Sequence, residues 1–124
     1  MRILIVDDEF AVGDIVNKFV TKFNHNPVSI TDPDEAIEVY RNAFEWGDSF
    51  DLVFLDYTFH GRHNGDSVLK ELLNIDSNAK VVLMTGDLDV IDSFNPLTSE
   101  YKAVLVKPFT MKEVKHLILK FGKG

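Results

Sequence analysis

Residues 2–9 read "RILIVDDE": four consecutive apolar residues, Ile3 to Val6, run straight into three acids. A short apolar run with no polar alternation reads as a β-strand covered on both faces. Comparable runs follow at residues 50–55 (FDLVFL), 80–84 (KVVLM) and 102–106 (KAVLV), and a more mixed one at 27–30 (PVSI) reads as an edge strand. Between the runs the apolar residues change to helical spacing. Ile15, Val16, Phe19, Val20 and Phe23 form one stripe, and Ile37, Tyr40, Ala43 and Phe44 a second. Val68, Leu69, Leu72 and Leu73 mark a third, and Val114, Leu117, Ile118 and Phe121 the last. Asp32, Pro33 and Glu35 supply cap, first-position proline and first-turn acid for the second helix, and Thr110 with Glu113 has capping-box spacing. Residues 87–100 carry the weakest pattern. Asn95-Pro96 interrupts any helix there, so a short or bent fourth helix is expected.

Five strand–helix units predict an α/β fold in which right-handed crossovers build an open, five-stranded parallel sheet with helices on both faces. A closed barrel would need eight. The length of 124 residues, with 45% hydrophobic and 27% charged, suits a single domain over residues 1–124, with no output domain following the last helix. No cysteine is present, which excludes disulfides and thiolate metal sites and favours a cytoplasmic setting. No apolar stretch reaches the length of a membrane span or a signal-peptide core. A net charge of -7 argues against a nonspecific nucleic-acid surface, which needs clustered Lys and Arg.

In open sheets of this kind ligands bind at the carboxyl ends of the strands, near the point where strand order reverses. The polar residues at those ends are Asp7, Asp8 and Glu9 after the first long run, Asp56 after the third strand, Thr85 and Gly86 after the fourth, and Lys107 and Pro108 after the fifth. Singly, each has an ordinary explanation as a helix cap, a turn residue or a solubilising charge. Jointly those explanations strain, because two carboxylates about 4 Å apart repel by roughly 4 kcal/mol at an effective dielectric near 20. Three carboxylates and one ammonium leave a formal charge of -2, which one divalent cation balances. Oxygen-only ligands point to Mg2+ or Mn2+, with positions left for water or a phosphate oxygen.

The segments ILIVDDE (3–9), LVFLDYT (52–58), VVLMTGD (81–87) and VLVKPF (104–109), in that order, resemble the receiver domain of two-component response regulators. The resemblance covers nearly the whole chain. It implies the doubly wound, flavodoxin-like strand order 2-1-3-4-5, and phosphorylation of an aspartate by a histidine kinase or a phosphotransfer protein. It implies Asp56 as phosphoacceptor, Asp8 and Asp56 as direct Mg2+ ligands, Asp7 as a ligand through water, and the backbone carbonyl of Thr58 as the remaining protein ligand. Thr85 would hydrogen-bond the phosphoryl group, Lys107 would pair with it, and Pro108 would follow a cis peptide bond. Independently of the family, a carboxylate attacking phosphorus has no proton to lose, so no general base is needed.

Some features depart from the family. The position three residues before the lysine commonly holds Tyr or Phe, whose inward rotation couples to the threonine; here it is Val104, and Tyr101 lies three residues further back. The loop DYTFHGRHNG (56–65) is similar to that of receivers attached to hybrid histidine kinases, with His60 in place of proline. Thr58 and Asp87 occupy positions that tune water access to the acyl phosphate in the family. LVFLDYT is also similar to the start of haloacid-dehalogenase-type phosphatases, but the second aspartate of those enzymes is replaced by Thr58. A flavin-binding module of the same topology would have its phosphate repelled by the acidic rim. A degenerate receiver acting by protein contacts alone is the stronger rival. His60, His63, His25 and His116 are expected in solvent, Trp46 as a cover for the core, and Lys112, Lys115 and Lys120 on a solvated face.

Overall fold

The computed structural model describes residues 1–61 and 63–121. Five strands and five helices alternate: β1 (Arg2–Val6), α1 (Phe10–Lys22), β2 (Asn26–Ile30), α2 (Pro33–Glu45), β3 (Leu52–Asp56), α3 (Gly65–Ile75), β4 (Val81–Thr85), α4 (Leu88–Ser93), β5 (Ala103–Val106) and α5 (Met111–Phe121). The strands form one parallel sheet in the order β2-β1-β3-β4-β5. This is the doubly wound, flavodoxin-like arrangement that the sequence implied. β3 and β4 are buried at every position, whereas the edge strand β2 has no buried position. Among the described residues no helix is long and apolar enough to cross a membrane.

Strand periodicity sorts the core into two layers. Leu4, Val6, Val53, Leu55, Val81 and Leu83 face one way, onto Ile37 and Tyr40 of α2 and Val68, Leu69 and Leu72 of α3. Ile3, Ile5, Leu52, Phe54, Val82 and Met84 face the other, onto Val16 and Val20 of α1 and Val114, Leu117 and Ile118 of α5. Two of the expected caps form. Asp32 accepts the N–H groups of Asp34 and Glu35, and Thr110 and Glu113 exchange backbone N–H bonds at 3.1 and 3.2 Å. A third, unforeseen, joins Asn64 and Ser67 at the start of α3.

Four details differ from the sequence expectation. β3 begins two residues later than residue 50 and includes Asp56, and β4 likewise takes in Thr85, because these polar residues pair in the sheet rather than end it. Ile15 and Phe44 turn outward from their stripes, while Gly13 is buried on the inner face of α1. Trp46, at the end of α2, is 86% exposed and covers nothing, because the chain turns away through Gly47 at φ +75°. α4 is indeed short, six residues with none buried.

Candidate functional site

From β1 the chain winds outward to β2, then crosses back over α2 to β3 on the opposite side. The carboxyl ends of β1 and β3 therefore border an open crevice where strand order reverses. Asp7 and Asp8 follow β1 at this edge, and Asp56 is the last residue of β3. The three carboxylates each offer an oxygen, all within 4.8 Å of one another. Lys107, just beyond β5, reaches across to them. Its Nζ donates to Asp7 Oδ2 at 3.0 Å and to Asp56 Oδ1 at 2.9 Å. The Lys107–Pro108 peptide is cis.

Neighbouring backbone ties hold these side chains in place. The Lys107 N–H donates to the Thr85 carbonyl at 2.9 Å, and the Tyr57 N–H to the Met84 carbonyl at 3.1 Å. Asp7 Oδ1 accepts the Glu9 N–H at 2.9 Å, so the first turn after β1 is closed by the same carboxylate that binds the lysine. Thr85 Oγ1 accepts the Asp87 N–H at 3.0 Å, and Asp87 in turn caps α4.

Among the described residues the buried polar side chains are Asp7, Asp56 and Thr85, and all three stand at this edge. Burying charge without partners costs several kcal/mol, so such a group survives only if paired. Burial pushes the Asp56 carboxyl up to about 6, with the charges of Asp7 and Asp8 adding to the rise and Lys107 opposing it. Burial also raises Asp7, against its bonds from Glu9 and Lys107. Lys107 loses solvation too, but its two carboxylate partners outweigh that and hold its pKa above the ordinary value. One ammonium is thus shared by two carboxylates that resist ionising together. The arrangement offers only oxygen donors to a cation, matching a hard dication, and an excess of negative charge for it to balance.

Asp8 stands at the outer wall. Burial acts against its charge, but bonds from the His60 backbone N–H at 3.0 Å and the His60 ring Nδ1 at 2.6 Å bring its pKa below the usual value. The hydrogen bond to Asp8 raises His60 correspondingly. Thr58, two residues past Asp56, is exposed and pairs with Asn64 in an isolated antiparallel bridge. His60 is therefore solvent-exposed as expected yet bonded to the acidic cluster. His63 departs from the solvated reading altogether. Its Nε2 lies 2.6 Å from Asp34 Oδ1 and its Nδ1 3.0 Å from Ser67 Oγ, linking α2 to the cap of α3.

The sequence-predicted site residues lie at this edge, and contacts join Asp7, Asp8, Asp56 and Lys107 into one cluster, with Thr85 tied to Lys107 through its backbone carbonyl. Sequence reasoning missed Tyr101, which is buried and donates to Asp66 Oδ1 at 2.8 Å beside the end of β3. Only its separation from Val104 had marked it, since nothing in residues 95–102 tells how that segment approaches the sheet.

Comparison with known proteins converges on one family. The model for the response regulator receiver domain matches residues 3–119. Sporulation initiation phosphotransferase F of Bacillus subtilis is 28% identical over 122 residues, covering 97% of this chain and 92% of that protein. Chemotaxis protein CheY of Thermotoga maritima is 28% identical over 123 residues, covering 98% of each. In structure, the CheX–CheY–BeF3–Mg2+ complex of Borrelia burgdorferi superposes with a TM-score of 0.83 at 24% identity, covering 100% of this chain and 90% of the other. The coverage leaves no large part of the fold unmatched, and the chain belongs to the response regulator receiver domain family of two-component signalling.

Proposed function

We propose that this receiver accepts a phosphoryl group on Asp56 from a phosphohistidine donor, with Mg2+ bound, and thereby switches its interactions with a partner. The observation that carries the reading is the Lys107 ammonium bridging two buried carboxylates in a three-aspartate cluster. A structural ion pair would need one acid, and a solubilising lysine none.

Asp7, Asp8 and Asp56, with the Thr58 carbonyl as the family resemblance implies, would hold Mg2+ or Mn2+. Such an ion, when bound, offsets the charge of the carboxylates and of the incoming phosphoryl oxygens. The chain's own residues do the rest. A lone pair on the Asp56 carboxylate forms the O–P bond as the donor's P–N bond breaks, and the leaving imidazole nitrogen takes a proton from water. Asp56 gives up none, so no base is required. Lys107, already 2.9 Å from Asp56 Oδ1, is placed to follow the negative charge onto the phosphoryl oxygens. Thr85 accepts the Asp87 N–H and keeps its own hydrogen to donate to one of those oxygens. Because Asp87 caps α4, recruiting Thr85 disturbs the start of that helix. The donor is a histidine kinase or a phosphotransfer protein, and the chain is a signalling domain rather than an enzyme that turns over outside substrates.

The test is to incubate the protein with acetyl phosphate and Mg2+ and weigh it intact. The expected result is a gain of one phosphoryl mass that disappears with EDTA and in Asp56→Asn. No adduct, together with no binding of beryllofluoride, would leave only a receiver working by protein contacts.

A further inference from the structure

Tyr101 is a buried phenol 45 residues beyond Asp56 in the sequence, yet its hydroxyl sits against the strand end that carries Asp56. A Cβ added to Gly65 would meet Tyr57 Cα at 2.9 Å, the Tyr101 hydroxyl at 3.0 Å and the Asp56 carbonyl oxygen at 3.1 Å. The first residue of α3 is therefore wedged between the end of β3 and the tyrosine. The Gly65 N–H closes the wedge by donating to the Tyr57 carbonyl at 2.6 Å, and the Thr58–Asn64 bridge lies directly outside it. Tyr101 locks it from behind, its hydroxyl donating to Asp66 Oδ1 at 2.8 Å.

The clamped segment is a loop with both ends fixed. It leaves β3 at Tyr57, passes Thr58 and His60, whose backbone N–H and ring both reach Asp8, and returns at Asn64 and Gly65. Whatever holds Gly65 against Tyr57 thus holds the closing side of the acidic cluster. On its other side the Tyr101 ring borders a pocket of about 170 Å3 under α4, together with Tyr57, Leu83, Val90 and Phe94. α4 has no buried residue of its own, so on that side Tyr101 is the buried side chain that backs the first turn of α3, while Phe59 and His63 hold the loop from the side of α2.

We propose that Tyr101 is a positioning residue for the cation and phosphoryl site: through Asp66 and Gly65 its hydroxyl fixes the Tyr57–Gly65 contact, and with it the backbone around Thr58. This rests on the function proposed above. The hydroxyl acts on loop geometry and touches neither the cation nor the reacting oxygens. Removing it while keeping the ring should weaken cation binding without collapsing the fold.

The experiment titrates the unphosphorylated protein with Mg2+, following the Thr58 and Gly65 backbone amides by NMR, in wild type, Tyr101→Phe, Asp66→Asn, Asp66→Ala and Tyr101→Phe/Asp66→Ala. Tyr101→Phe is expected to weaken Mg2+ binding about three- to tenfold and to move both amides before any metal is added. Asp66→Asn keeps an acceptor for the phenol and stays near wild type; Asp66→Ala loses it and falls with Tyr101→Phe. Both lose the same charge, so their difference isolates the acceptor at Asp66, which Tyr57 also uses, and the double variant assigns the effect to the Tyr101 hydroxyl. The double variant is expected to be no weaker than its weaker parent. A Tyr101→Phe affinity within twofold of wild type, or equal losses in Asp66→Asn and Asp66→Ala, would remove the role for Tyr101 and leave the functional reading standing. A wild-type protein that binds no cation would overturn both. If Tyr101→Phe does not fold, the two Asp66 variants decide alone.

Discussion

Two helices flank β5, and they are attached very differently. α5 buries Val114, Leu117 and Ile118 against the sheet and starts with a reciprocal capping box; α4 has no fully buried residue, rests only a half-buried Val90 on the core, and starts with one aspartate. The difference decides which flank can respond to chemistry at the acidic edge. A helix held by three core side chains can move only by opening the core, which costs several kcal/mol. A helix held by its Asp87 cap, by the Thr85 hydroxyl that this cap also uses, and by contacts over Tyr101 can move for far less. Lys107 sits at the firm flank and Thr85 at the loose one, so the same phosphoryl group would be gripped by the first and would pull on the second.

The sharpest way to break this contrast is to truncate each helix in turn. Ile118→Ala on α5 removes a side chain 1% exposed and is expected to cost about 2–5 kcal/mol in denaturant unfolding. Ile91→Ala on α4 is expected to cost about 1 kcal/mol or less. Equal losses would mean that α4 is as firmly packed as α5 and could not carry the response.

Between the flanks, the cluster itself should load the metal-free protein as pH rises. The folded-state pKa of Asp56 is about 6, above the ordinary 3.8, so the folded protein binds the proton more tightly than the unfolded chain. The resulting stabilisation is complete below about pH 4 and lost on passing through about 6. At about 1.4 kcal/mol per pH unit it amounts to about 3 kcal/mol. Asp7 is shifted the same way, whereas Asp8 is lowered, so its stabilisation is present above the ordinary carboxylate range and is lost only as pH falls through that range. Chemical denaturation from pH 4 to 8 in EDTA should show the decline, and Asp56→Asn should flatten most of it. A flat wild-type profile would mean that Lys107 already neutralises both buried acids.

Gly65→Ala addresses the wedge behind the loose flank. The added methyl would meet backbone atoms of Tyr57 and Asp56, at 2.9 and 3.1 Å, and neither can swing aside as a side-chain end would. A loss of about 1–3 kcal/mol is expected, from overpacking rather than from backbone conformation. Thermal unfolding at neutral pH checks it, and an unchanged midpoint would show that α3 can slide away from β3.

The architecture was legible in the sequence because strands covered on both faces must be written as unbroken apolar runs, and β1, β3 and β4 are so written. The same rule misplaced the ends of β3 and β4. Reading stopped at the first polar residue, but Asp56 and Thr85 are polar and still belong to the sheet, buried with Asp7 beside Lys107. The candidate site residues are the ones that violate the pattern that locates the fold. Trp46 and Phe44 misled in the opposite sense, since an apolar residue past the last inward turn of a helix has nothing to cover. Tyr101 and His63 were illegible for a third reason. Their partners, Asp66 and Asp34, lie 35 and 29 residues away on other elements, and no local period encodes such a meeting.

The smallest expected effect lies on the firm side and runs the other way. Gly13 is buried within α1, yet a Cβ built there meets nothing within 4 Å. The space belongs to a pocket of about 160 Å3 between α1 and β2, bordered by Asn17, Ser29 and the back of Asp7. Glycine inside a helix is less favourable than alanine by roughly 0.8–1 kcal/mol, chiefly because the unfolded chain is freer. Gly13→Ala should therefore stabilise the protein by about 0.5–1 kcal/mol and raise its midpoint by a few degrees. Its Mg2+ affinity should stay at the wild-type value, because the methyl enters the pocket behind Asp7 and not the cluster in front of it. A stabilised variant with weakened cation binding would mean that the open space at Gly13 serves Asp7, and that the firm flank also yields when the site is filled.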